Sequence, residues 1–66
     1  MSAKKAELVS AAVAGLTPAL VAEYHAETDK MVWVLETFFP GFGIDSAESM
    51  ILAVEDAIET LNGGVS

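Results

Sequence analysis

The chain has 66 residues, 53% of them hydrophobic, no cysteine, and a formal net charge of −7 from ten acids against three lysines. That is one domain at most, spanning 1–66, too apolar for disorder and unable to form a disulfide or a thiolate metal site. With only Lys4, Lys5 and Lys30 and no arginine, it lacks the clustered cations that direct binding to nucleic-acid phosphates or to an anionic membrane surface requires.

Residues 4–15 read as a first helix of about three turns, built on alanine and leucine. Leu8, Val9, Ala12, Val13 and Leu16 share one face, with Glu7, Ser10 and Ala14 opposite. Lys4 and Lys5 before an apolar stretch also fit a signal peptide. The apolar core is short and Glu7 interrupts the basic end, so an ordinary helix and a cytoplasmic location are expected. Gly15 is a natural stop.

Thr17-Pro18 is a strong helix start: Thr caps free N–H groups, and Pro in the first turn loses no needed donor. From there the expectation is one long central helix, 18–39, against which two shorter ones fold. Its stripe is Leu20, Val21, Tyr24, Thr28, Met31, Val32, Leu35, Phe38 and Phe39. Polar residues crowd at 26–29, which makes that the place for a kink or a break. Pro40-Gly41-Phe42-Gly43 forms a turn, with Phe42 folded back on the core. Asp45 and Glu48 have the spacing of a capping box for a last helix, 46–62. That helix places Ala47, Met50, Ile51, Val54, Ala57, Ile58 and Leu61 on one face, and Asn62-Gly63-Gly64 ends it. The expected fold is an all-α three-helix bundle with short connections. A core this small often needs a further staple, and self-association is the one left open.

Residues that could carry chemistry are few. His25 is the only imidazole, with Asp29 one turn on. The reading is a surface histidine with a weak i,i+4 partner. One histidine and no Glu-x-x-His pattern leave no basis for a metal site, and Gly41 and Gly43 lack the Gly-Lys-Ser/Thr of a phosphate loop. No catalytic residue and no cofactor is expected, and the chain is read as not an enzyme.

Phe42-Gly43-Ile44-Asp45-Ser46 puts an Asp-Ser pair at a helix start, with apolar Met50 and Leu52 following. This resembles the attachment site of acyl and peptidyl carrier proteins, which are small, acidic and helical. The resemblance implies a phosphopantetheine arm on Ser46. The stretch 54–62 separately resembles the last helix of that family. There the two stretches lie on different helices with a third between them. Here they share one expected helix, and only 20 residues follow Ser46. Helix capping accounts for the same pair without chemistry.

Two apolar residues break the periodicity. Trp33 falls on the polar side of the long helix, in line with the small Ala22 and Ala26, and tryptophan is enriched at interface hot spots. Leu52 faces outward among Glu48, Glu55, Asp56 and Glu59, an apolar centre with a charged rim. From Met31 to the C-terminus there are six acids and no base, so a partner bound there by charge is basic. The expected function is a non-enzymatic protein–protein interaction module, an adaptor, inhibitor or assembly subunit. Trp33, Ala22, Ala26, Leu52, Glu48, Glu55, Asp56 and Glu59 would form its interface, with a homodimer expected. The alternatives are a carrier modified at Ser46 and an acidic nucleic-acid mimic that inhibits a basic protein.

Overall fold

The computed structural model describes residues 3–63, and all of the regular structure in that span is helical. It contains α1 (Ala3–Ala14), α2 (Pro18–Ala26), α3 (Lys30–Phe38) and α4 (Ile44–Gly63). The all-α fold is as the sequence indicates, but there are four helices, not three.

The single helix expected over 18–39 is broken at 27–29, within the polar stretch. Glu27 turns to extended backbone at φ −78° and ψ 140°, and its N–H closes α2 on the Tyr24 carbonyl. Lys30 Nζ donates to the Glu27 carbonyl at 3.0 Å. Asp29 then caps α3, its Oδ1 accepting from the Val32 N–H at 3.3 Å. Short polar side chains compete with the helical backbone in this way, and here the competition wins. The break lets α2 fold back beside α3.

The boundaries at Gly15, Thr17-Pro18 and Pro40-Gly41 follow their signals. Thr17 caps α2, its Oγ1 accepting from the Leu20 N–H. After α3, the Phe42 N–H reaches the Phe39 carbonyl across Pro40 and Gly41, and Gly41 has φ +92°. That is a type II turn, which needs a positive φ at its third residue. The last helix starts two residues earlier than expected, with the Gly43 carbonyl taking its first bond from the Ala47 N–H. Asp45 therefore stands inside the first turn of α4 and is not its cap. There it still complements the positive helix end. Gly64, the last of the residues expected to end this helix, lies outside the described span.

The hub is α4, not the 18–39 segment. It packs against α1 on one side and α3 on the other, while α2 rests mainly on α3. Among the described residues, five of the nine buried apolar ones are on α4: Ala47, Met50, Ile51, Val54 and Ile58. Ala12, Tyr24, Val34 and Phe39 complete the core. At a rise of about 1.5 Å per residue a helix of this length spans about 30 Å, close to the 33 Å long dimension of the molecule. Phe42 sets its ring edge against Phe39 yet stays 38% exposed, so it is only partly folded back. Thr28 is exposed, not part of the core stripe. Among the described residues no single helix is long and apolar enough to cross a membrane, and α1 and α2 meet at 101°.

Candidate interaction surface

The outer side of α4 carries the acidic strip. Ser46 to Glu59 wind through one uninterrupted helix, so Glu48, Leu52, Glu55, Asp56 and Glu59 fall within roughly one quarter to one third of its circumference. Glu48, Asp56 and Glu59 are exposed, and Leu52 is 50% exposed at their centre. Glu55, at the edge nearest the core, is half-buried and committed elsewhere. Its Oε2 accepts from the Tyr24 hydroxyl at 3.0 Å. That contact ties α2 to α4.

Tyr24 is 4% exposed. Burial, the hydrogen bond to Glu55, and the negative charges of Glu55 and Glu59 push its phenol up to about 12. The neutral hydroxyl is the form this site holds. Lys30 sits over the same ring, its Nζ 5.7 Å from the centroid.

Trp33 is placed differently from the sequence expectation. It is half-buried, its ring edge-on to Tyr24 at 6.0 Å and to Phe38 at 5.9 Å. In a continuous helix, residues 24 and 33 would stand about 13.5 Å apart along the axis. The break at 27–29 brings them together. It also places Ala22 and Ala26 on α2 and Trp33 on α3, so the three are not in line on one helix. For the same reason His25 and Asp29 are not on successive turns of one helix. His25 sets its ring edge against Tyr24 at 5.3 Å.

Ala22 and His25 instead belong to a second surface. With Leu16, Pro18, Val21 and Leu61 they line a shallow depression of about 480 Å³ between the α2 face and the end of α4. Leu61 was expected in the core from its spacing after Ile58, yet it is 58% exposed. It continues the buried stripe of α4 beyond the helices that cover the rest. That spacing is the sequence signal for this surface.

Ser46 is exposed in the first turn of α4, and its carbonyl accepts from Lys5 Nζ at 3.3 Å. The serine and the stretch that resembles a carrier protein's last helix lie on the same helix, unlike the separate helices of that family. Among the described residues there is no group of three or more side chains suited to holding a metal ion. No family model, curated protein or solved structure matches the chain.

Proposed function

We propose that this protein is a non-enzymatic docking module that binds a basic protein segment along the outer side of α4. The observation that carries the reading is Leu52, half-exposed inside a rim of Glu48, Asp56 and Glu59 on the hub helix of the fold. An apolar centre supplies affinity by losing water, and the acidic rim selects the sign of the partner and speeds encounter. The net charge of −7 extends that attraction beyond the contact itself.

The test uses matched amphipathic helical peptides, one basic and one acidic, titrated against the whole chain. The basic peptide binds and weakens as salt is raised, and the acidic one does not bind. Leu52→Ala weakens the complex by about 1–2 kcal/mol, roughly 5- to 30-fold. Glu48→Gln with Glu59→Gln flattens the salt dependence. Equal binding of both peptides, or indifference to Leu52, would remove the proposal. A second reading draws on the exposure of Ser46 in the first turn of α4. A mass gain on that serine after co-expression with a phosphopantetheinyl transferase would replace docking with a carrier role.

A further inference from the structure

We infer that the face formed by α2 and the end of α4 is a self-association surface, occupied by a second copy of this chain. The face is independent of the acidic strip. Leu61 lies about half a turn around α4 from Leu52 and about 160° from Glu59.

Three observations select the occupant. The first is that α2 is apolar on nearly every side, with Glu23 its only acid, yet Tyr24 is its only buried residue. A helix of that composition is normally enclosed. Pro18, Ala19, Ala22 and Ala26 are exposed instead. The second is shape. One patch holds both a projecting side chain, Leu61, and a recess of about 480 Å³. A twofold contact places each patch against itself, so it requires a knob and a hole on the same surface.

The third is charge. Among the described residues, none of those lining the depression is an acid, a lysine or an arginine. The lining therefore carries no carboxylate or ammonium to pair with a charged partner, its polar side chains being Thr17 and His25, whereas two copies of a −7 chain can meet there with their acidic strips turned away from each other. A stable contact buries about 600 Å² per protomer, more than the depression alone offers, so it takes in the exposed Pro18, Ala19 and Ala26 of α2 as well. A 66-residue chain gains proportionally more from such burial than a larger one.

Sedimentation equilibrium of the whole chain over micromolar to millimolar concentrations tests this. The wild type is expected to be a reversible dimer. Ala22→Asp and Leu61→Asp each weaken dimerisation at least about tenfold, since each buries an unpaired carboxylate at the contact. Both positions are exposed in the protomer, so the circular dichroism of the two variants matches wild type. Leu52→Asp leaves the dimer intact. A wild-type monomer throughout the range would overturn the inference. So would a dimer that survives both groove variants and is lost with Leu52→Asp, which would move the contact to the acidic strip. A monomer whose depression takes up the apolar dye anilinonaphthalene sulfonate, and loses it with Ala22→Asp, would assign the face to a small apolar ligand.

Discussion

The Tyr24 hydroxyl is the most constrained polar group described in the chain. It is held inside the core, with its one bond to a carboxylate that reaches in from the solvent edge. Raising the phenol from 10 to about 12 means that the unfolded chain ionises first as pH climbs. The contribution of this group to stability is therefore complete below pH 10 and is lost between pH 10 and about 12. The chain has a single tyrosine, so its near-ultraviolet titration is unambiguous. The folded protein is expected to titrate near 12, and Glu55→Gln moves the midpoint back toward 10. The urea midpoint of wild type falls across the same window more steeply than that of Tyr24→Phe, which isolates the phenol from lysines titrating nearby. At neutral pH Tyr24→Phe costs about 1 kcal/mol, because Glu55 is only half-buried and returns to water. A folded-state titration at the ordinary value would show that the hydroxyl is not held by Glu55.

At the scale of elements, the decisive feature is Asp29. In an unbroken helix it would be an exposed interior residue, and Asp29→Ala would stabilise by about 0.5 kcal/mol through helix propensity. As the cap of α3 it accepts from the Val32 N–H, and the same change costs about 1 kcal/mol. The two arrangements predict opposite signs. The expected outcome is a lower urea midpoint and reduced far-ultraviolet ellipticity; a gain in both would mean that 18–39 is continuous. Three helix boundaries were legible because each has a residue with one strong preference: Gly15, Thr17-Pro18 and Pro40-Gly41. The fourth was legible only as a weak point. Leu20, Tyr24, Met31 and Leu35 keep helical spacing straight through the break, so periodicity conceals it. Val34 was missed although it stands three residues after Met31 and four before Phe38, a spacing that marks the core face of α3. Trp33 could not have been placed from one wheel, because what covers it is Tyr24 from a separate helix.

For the whole molecule, the buried stripe of α4 was readable from Ala47 to Ile58, but its position as hub was not. That depends on which neighbours pack on each side, and aromatic content pointed to the wrong segment. The charge distribution was fully legible, and it has a consequence for stability. From Met31 onward the chain has six acids and no base. Glu36, Asp45, Glu48, Asp56 and Glu59 are exposed, and folding holds them closer together than the open chain does. Repulsion among exposed charges is screened beyond about 10 Å at 0.1 M salt. Adding sodium chloride from about 10 mM to about 0.5 M is therefore expected to raise the thermal midpoint, read by circular dichroism at one low protein concentration. Asp56→Lys, at an exposed site on α4, should stabilise the chain at low salt, and the gain should shrink as salt rises. A midpoint that falls with salt would show that attraction between these acids and the three lysines outweighs repulsion among the acids. The proposed docking surface would then be less free to attract a basic partner than its sequence implies.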